Sequence, residues 1–427
     1  MIMSIVYTIL LYLIQPLVWL RLLWRSRKAP DYRKRWLERY GFCKNKVKSG
    51  GILVHAVSVG ETLAAIPLIK ALQNHYPQLP ITVTTMTPTG SKQVKSILKE
   101  SVSHVYLPYD LPCAIHRFLK TVQPKLVIIM ETELWPNLIS QCYSKKIPLI
   151  IANARLSERS ARRYHKLGQA ISKLLAKIST VAAQNRQDGD RFISLGLPAD
   201  HLAVTGSIKF DIELTAKQQQ NLAQLKQQWQ WQLHRPVLIA ASTHSGEDEI
   251  ILSAFQQLLK NHSNLLLILV PRHPERFKTV EKLIADNGLN YITRSSKQNP
   301  TDQTQVILGD TMGELLELYG LANIAFVGGS LIEHGGHNPL EPALHHIPII
   351  SGKHFFNFKV IGEQLIEANG MLVCDSSADS LYSTINSLLN DQSRCQQIGE
   401  NAYQVLKNNQ GALNRLLEVI HHYLEKS

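Results

Sequence analysis

The chain predicts an α/β protein of two doubly wound domains, with an apolar helix ahead of them. Three observations lead there. Short apolar runs alternate with helix-periodic segments, the runs are too numerous for one comfortable sheet, and no charged residue occurs between Ile2 and Leu20. Alternating strands and helices are the mark of parallel sheets wound with crossover helices. Open sheets rarely exceed about ten strands, so two sheets are the economical solution.

The uncharged segment Ile2–Leu20 would span roughly 28 Å as a helix, close to the thickness of a bilayer core. Arg21, Arg25, Arg27, Lys28, Arg33, Lys34, Arg35 and Arg39 follow it. A secretory signal carries its charge ahead of the apolar run, so this order predicts a retained anchor over 1–24 with the body on the cytoplasmic side. Pro16 weakens the helix, and a segment lying in the interface is the alternative.

In the first half the strand-like runs are Ile52–Val57, Ile81–Thr85, Val105–Leu107, Leu126–Met130, Leu149–Ala152, Thr180–Ala183 and Leu202–Thr205. In the second they are Val237–Ala240, Leu265–Val270, Val306–Leu308, Ile324–Val327, Ile347–Ile350 and Met371–Val373. The Gln- and Lys-rich stretch Lys217–Gln232 has few β-formers and separates the two series. It sets Rossmann-like domains at 25–215 and 233–427, with the last helical stretch, about Ser393–Glu425, a candidate to cross back over the first.

Lysine and arginine number 46 against 33 acids, a net charge of +13, which favours anionic partners. With 7% aromatic residues and no basic stripe interleaved with aromatics, nucleic acid is not among them. The five cysteines are scattered and none pairs at metal-ligand spacing, which suits a reducing compartment.

Ligands of open α/β sheets sit beyond the carboxyl ends of the strands, so the residues there are the candidates. Glu61 follows the first strand in Ser58-Val59-Gly60-Glu61 and is a candidate general base facing a cleft, although a first-turn glutamate also simply complements a helix dipole. Glu131 and Glu133 follow Leu126–Met130, and Lys209 follows Leu202–Thr205 in Gly206-Ser207-Ile208-Lys209. In the second half Pro271-Arg272 ends a strand, and an arginine there suits a phosphate or carboxylate. Thr311-Met312-Gly313-Glu314 opens a helix against a base or phosphate. After Ile324–Val327 come Gly328-Gly329, Gly335-Gly336 and Asn338-Pro339-Leu340-Glu341. Free backbone N–H groups, a capping Asn338 with Pro339 in the first helical position, and Glu341 for ribose hydroxyls make an expected phosphate cradle. Asp188-Gly189-Asp190 falls in a helical stretch and reads as a solvated face. His334, His337, His345 and His346 lack helical presentation and a cysteine partner, so no metal site is expected. No Gly-Lys-Ser/Thr phosphate loop occurs. Ser157–Ile178 reads as one helix with a basic face.

Taken in order, the motifs resemble one family. They are His55-Ala56-Val57-Ser58-Val59-Gly60-Glu61, Thr84-Thr85-Met86-Thr87-Pro88-Thr89-Gly90, Met130-Glu131-Thr132-Glu133-Leu134-Trp135-Pro136-Asn137, Asn153-Ala154-Arg155-Leu156-Ser157, Thr205-Gly206-Ser207-Ile208-Lys209-Phe210-Asp211, Pro271-Arg272-His273-Pro274-Glu275-Arg276, Gly309-Asp310-Thr311-Met312-Gly313-Glu314-Leu315 and Gly328 to Pro342. The chain resembles the bacterial 3-deoxy-D-manno-octulosonic acid (Kdo) transferases of lipopolysaccharide inner-core synthesis. The resemblance implies an inverting, metal-independent GT-B glycosyltransferase of two Rossmann-like domains facing a central cleft, with no cofactor. It implies transfer from CMP-Kdo to a lipid A precursor, acceptor in the first domain and nucleotide sugar in the second. The enzyme would work at the cytoplasmic face of the inner membrane, in contact with anionic lipid. It also implies that Glu61 is the proton acceptor and that Glu131 and Lys209 support the transition state. Pro271, Arg272, Met312, Gly313, Glu314, Asn338, Pro339, Leu340 and Glu341 would contact the nucleotide. The rival within the same architecture is a UDP-dependent transferase or epimerase.

Overall fold

The computed structural model describes residues 2–27, 29–43, 46–229 and 234–425. Lys28 of the basic segment and 230–232 of the expected boundary lie outside them. The chain forms two compact units, Met1–Asp211 with Gln410–Ser427, and Ile212–Asn409.

The first unit is built on seven strands: β1 (Ile52–His55), β2 (Ile81–Thr85), β3 (Ser103–Tyr106), β4 (Leu126–Met130), β5 (Leu149–Ala154), β6 (Thr180–Ala183) and β7 (Leu202–Val204). They pair in parallel in the order β3-β2-β1-β4-β5-β6-β7. The apolar runs without alternation have their reason here. Both faces of β1 and β4 are covered, and Leu53, Val54, Ile128 and Ile129 are 0% exposed. Each such side chain contributes roughly 1.5–3 kcal/mol by burial.

The second unit repeats the architecture with β8 (Val237–Thr243), β9 (Leu266–Pro271), β10 (Tyr291–Thr293), β11 (Val306–Leu308), β12 (Ile324–Val327), β13 (Ile349–Ser351) and β14 (Met371–Val373). The order is β10-β11-β9-β8-β12-β13-β14, again all parallel. β10 has no counterpart among the expected strands. It is a three-residue edge strand, half-buried throughout, and carries no long apolar run.

Several expectations are corrected. The apolar N-terminus is not one helix but two, Ile2–Leu13 and Gln15–Arg25. Their described parts, Val6–Leu13 and Gln15–Arg25, meet at 46°, and among the described residues no single helix is long and apolar enough to cross a membrane. Pro16, which lacks an N–H and crowds the preceding turn, sits in the first turn of the second helix. The pair is also tied to the first unit. Tyr7 donates to Asp110 Oδ2 at 3.0 Å, Tyr12 to Cys113 Sγ at 3.1 Å, and Tyr40 to Gln15 Oε1 at 2.9 Å. Asp110 in turn accepts from Asn137 N and Leu138 N at the start of the helix Pro136–Ser144.

Not all of the basic segment faces outward. Arg39 is 3% exposed with its guanidinium 4.3 Å from the Tyr106 ring centroid, and Arg35 pairs with buried Glu38 at 2.8 Å. The expected boundary stretch is largely a helix, Ala216–Gln228, opened by a Thr215–Gln218 capping box. Its Leu222 and Leu225, with Trp229 just beyond, are buried in the second unit's core. The division between units falls instead at Asp211/Ile212 and again at Asn409/Gln410. Ser157–Ile178 is two helices, Glu158–His165 and Gln169–Leu175, parted at Gly168. The C-terminal stretch is also two, Gln392–Asn409 and Ala412–Leu424, parted at Gly411 with φ +87°. The second of these belongs to the first unit.

Candidate active site

In the first sheet the chain leaves β1 for β2 and β3, then returns to β4 on the other flank. The crevice beyond such a reversal is where open α/β sheets hold ligands. Glu61 and Glu131 follow those two strands. Ser58 caps the helix Val59–His75, its Oγ accepting from Glu61 N at 3.3 Å. The same hydroxyl donates to Glu61 Oε1 at 2.8 Å, and Val57 N–H donates to Oε2 at 2.8 Å. These bonds fix the carboxylate, which is 8% exposed. Burial raises its pKa above the ordinary value; the two hydrogen bonds oppose the shift and the Glu131 charge adds to it.

Glu131 directly follows β4 with a left-handed φ of +55°, a conformation of the kind that clusters at functional turns. Glu133, two residues on, is pushed up to about 7 by burial and by the charges of Glu61 and Glu131. Lys209 sits in the 3-10 turn Ile208–Phe210 after β7. Burial lowers its pKa, with Glu131 opposing and Arg155 reinforcing the shift. The structure thus brings Glu61, Glu131 and Lys209 into one electrostatic group and adds Glu133 and Arg155.

The Lys209 turn is braced from two sides. Asn153, at φ +54° in β5, accepts from Ile208 N at 3.2 Å. From the C-terminal helix, Gly411 N and Leu413 N each donate to Asp211 at 2.5 Å, and Arg415 Nε donates to Thr205 O at 2.8 Å. A Cβ on Gly206 would come within 2.9 Å of Arg415 Nη2 and 3.2 Å of Ala412 Cβ, so the close approach needs a glycine. Neither Asn153 nor Arg415 stands out as a site residue in the sequence, because both act through backbone groups far along the chain.

Among the buried polar atoms of this unit without a hydrogen-bond partner among the described residues are His55 Nε2, Trp135 Nε1, Asn153 Nδ2 and Ser207 Oγ. All four residues lie at or just past the carboxyl ends of their strands. Buried polar groups are seldom left so. A concavity of about 750 Å³ around Val47, Tyr76 and Leu79 includes none of these four residues.

In the second sheet the reversal lies between β8 and β12. Here the expected cradle is corrected. Glu247, 0% exposed, accepts from Gly329 N at 2.7 Å, Ser330 N and Leu331 N at 3.0 Å, and His244 N at 3.0 Å. The backbone N–H groups of Gly329, Ser330 and Leu331 therefore hold an internal carboxylate, and that of Gly328 donates to Ala241 O, rather than standing open to a phosphate. Asn338 does not cap an extended helix either. The helix is one turn, Leu340–Ala343, with Pro339 before it and Asn338 Oδ1 accepting from Leu340 N at 3.2 Å.

The remaining nucleotide candidates line the same edge. Pro271 ends β9, and Arg272 is exposed, its side chain without a hydrogen-bond or ion-pair partner among the described residues. Arg272 acts electrostatically on Glu341, whose carboxyl burial pushes up to about 7, opposed by Asn338 and by that arginine. Met312 is exposed and Gly313 has φ +88°. Glu314 is held by Arg294 at 2.9 Å and by the Thr311 hydroxyl at 2.5 Å. Asp188 lies in the helix Arg186–Ser194 but is buried and paired with Arg191 at 2.8 Å, not solvated, while Asp190 pairs with Arg186. Among the described residues no group of three or more His, Cys, Asp or Glu is arranged to hold a metal ion.

Two parallel seven-stranded sheets, each with its charged groups beyond a strand reversal, define a GT-B-like glycosyltransferase fold. Residues 34–212 match the family model for 3-deoxy-D-manno-octulosonic-acid transferase (kdotransferase), and 239–405 the model for glycosyl transferases group 1. A Haemophilus influenzae 3-deoxy-D-manno-octulosonic acid transferase is 50% identical over 423 residues, 99% of each chain. The Bordetella pertussis enzyme of that name is 34% identical over 98% of this chain and 99% of its own. The chain belongs to the Kdo transferases. The fold is also similar to that of UDP-GlcNAc 2-epimerase from Neisseria meningitidis, with a TM-score of 0.57 at 15% identity over 86% of this chain and 100% of that one.

Proposed function

We propose that this glycosyltransferase moves Kdo from CMP-Kdo to a hydroxyl of a lipid A precursor with inversion at the anomeric carbon, using Glu61 as the base. One observation carries the reading. Glu61 is a buried carboxylate at the reversal of the first sheet, oriented by Val57 N and Ser58 Oγ, and its pKa is raised. A fixed carboxylate of raised basicity is suited to take a proton from a sugar hydroxyl. In the step, the acceptor oxygen bonds to the anomeric carbon as the bond to the CMP phosphate breaks. Glu61 takes the hydroxyl proton and CMP leaves with the electron pair. Glu131 and Lys209 support the oxocarbenium-like state, and Arg272 with the Asn338–Glu341 turn holds the leaving nucleotide alongside Pro271 and Met312–Glu314. No metal is required if basic side chains carry the leaving charge. The unpartnered atoms of His55, Trp135, Asn153 and Ser207 support an acceptor site in the first unit.

The bent N-terminal pair, docked by Tyr7 and Gln15, exposes Leu10, Leu13, Leu17, Leu20 and Trp24. It supports an attachment lying along the cytoplasmic face of a bacterial inner membrane, with Arg21, Arg25 and Arg27 against anionic lipid. Incubation with CMP-Kdo and lipid A precursor, with and without EDTA, tests the whole reading. Mass spectrometry should find Kdo added in both, and NMR should find the anomeric configuration inverted. Loss in EDTA restored by a divalent ion would reopen Asp188 and Asp190.

A further inference from the structure

The sugar that a Kdo transferase moves is an acid, with its carboxylate bonded directly to the anomeric carbon. The residues proposed for the nucleotide leave that carboxylate without a partner. A group of side chains at the same edge of the second unit has the chemistry to serve it. His244 directly follows β8, and His337 lies in the loop after β12. Their Nε2 atoms are 2.8 Å apart and their ring planes differ by 2°. At that distance one nitrogen carries the hydrogen and the other accepts it, which leaves the second nitrogen of each ring outside that bond. The His334 ring centroid is 3.9 Å from that of His244, and the His273 centroid 5.4 Å. His244 is buried and His337 half-buried, whereas His273, His334 and Arg272 are exposed, so the pair has an accessible basic rim.

The charge around this group is one-sided. Burial lowers His244 to about 4 and His337 to about 3. The charged groups reinforcing both shifts are basic: His334, His273 and Arg272, with Arg276 acting on His244 as well. Two buried neighbouring acids, Glu247 and Asp248, are engaged elsewhere, while Glu275 and Glu333 are exposed. Glu247 accepts four backbone N–H groups, and Asp248 is paired with Arg276. A concentration of basic groups at a strand-end edge, with its buried neighbouring carboxylates bound elsewhere, is arranged for an incoming anion.

We infer that the His244–His337 pair, with His273 and His334 around it, binds the carboxylate of the donor's sugar acid through imidazole N–H groups. The inference rests on the CMP-Kdo reading. A bound anion favours the charged imidazole, so the lowered pKa values move back toward 6.5 on binding. The protein then takes up protons, and affinity for the sugar acid rises as pH falls from about 7.5 to about 6.

Calorimetry on the full-length protein tests this with CMP alone, then with free Kdo or Kdo methyl ester in saturating CMP. Kdo should bind with proton uptake, and the uncharged ester about tenfold more weakly, the worth of one charge-assisted hydrogen bond. His337→Gln and His244→Gln should weaken Kdo by a similar factor and leave CMP affinity and melting temperature unchanged. His334→Ala, at an exposed position, gives the same test should either glutamine variant fold poorly, with a loss of about threefold expected. Equal binding of Kdo and its ester, or histidine variants that retain Kdo affinity, overturns the assignment. Parallel loss of CMP and Kdo affinity in a variant of normal stability means the histidines read the phosphate and also overturns it. Failure of the wild type to bind CMP at all sinks the donor reading itself, a distinguishable result.

Discussion

Glu61 and Glu247 hold corresponding places in the two sheets, and the contrast between them separates chemistry from scaffolding. Each is a buried glutamate at the start of the helix that follows β1 or β8, Glu61 in its first turn and Glu247 just before it. Glu61 receives one backbone N–H and one hydroxyl, both from its own turn. Glu247 receives four backbone N–H groups, three of them from the loop after β12. A buried carboxylate with few donors has a raised pKa and can take a proton; one saturated by amides stitches two loops together. The wider edges differ in the same sense. Burial pushes Glu61 and Glu133 up and His55 down at the first edge, and Glu341 up and His244 and His337 down at the second, so the difference lies in which groups cluster: carboxylates in the first, imidazoles in the second. The first edge is suited to accepting a proton and the second to receiving an anion.

The largest effect should come from Glu61→Gln. Turnover is expected to fall about 100- to 10,000-fold, the usual contribution of a general base. CMP affinity and melting temperature should hold. In the wild type the base works only when deprotonated, so turnover should fall with decreasing pH and reach half its value above the ordinary 4.5 of glutamate. A variant rate near wild type would move the role to Glu131 or Glu133 and erase the contrast.

Glu247→Ala should invert the pattern. Four amides lose their acceptor, and at about 1–3 kcal/mol for each one left buried and unpaired, the second unit should lose at least about 3 kcal/mol. Thermal melting and hydrogen exchange at Gly329–Leu331 would register it. An unchanged melting temperature would mean the loop finds other partners.

Arg415→Ala sharpens the first unit's side of the comparison. Without its bond to Thr205 O the Lys209 turn loosens, and a displacement of about 1 Å in a catalytic group can cost on the order of a hundredfold in rate. Turnover should fall about tenfold or more with CMP affinity unchanged, and Arg415→Lys should recover part of it. If folded Arg415→Ala enzyme turns over normally, the C-terminal helix is a passive cover.

The smallest effect concerns the N-terminal pair. Tyr7→Phe removes a hydrogen bond to a buried carboxylate and should lower first-unit stability by about 1.5 kcal/mol. Vesicle binding should persist, because the exposed apolar face is untouched. Loss of vesicle binding with normal melting would show that docking, not apolar surface, holds the protein at lipid.

The two sheets were legible because a strand covered on both faces leaves a local trace, a short uncharged apolar run, and thirteen of the fourteen strands carry one. β10 does not, since an edge strand at half burial needs no such run. The strand-end positions of Glu61, Glu131, Lys209 and Arg272 followed from the same trace. The broken N-terminal pair was less legible. Hydropathy counts apolar residues and is blind to the 46° bend and to Tyr7 reaching Asp110, 103 residues away.

By itself the sequence determined the parallel α/β architecture and, through the order of its motifs, the family. Periodicity and turn chemistry act within a few residues and need no fold to be read. Only the tertiary structure decided which glutamate is a candidate base and which a tie. Three of the four donors to Glu247 lie 82 to 84 residues along the chain, and only folding brings them to it. It alone gathered His244 with His337 across 93 residues and set the C-terminal helix against the Lys209 turn. Burial and proximity set the state of a titratable group, and both are properties of the packed molecule rather than of the residue.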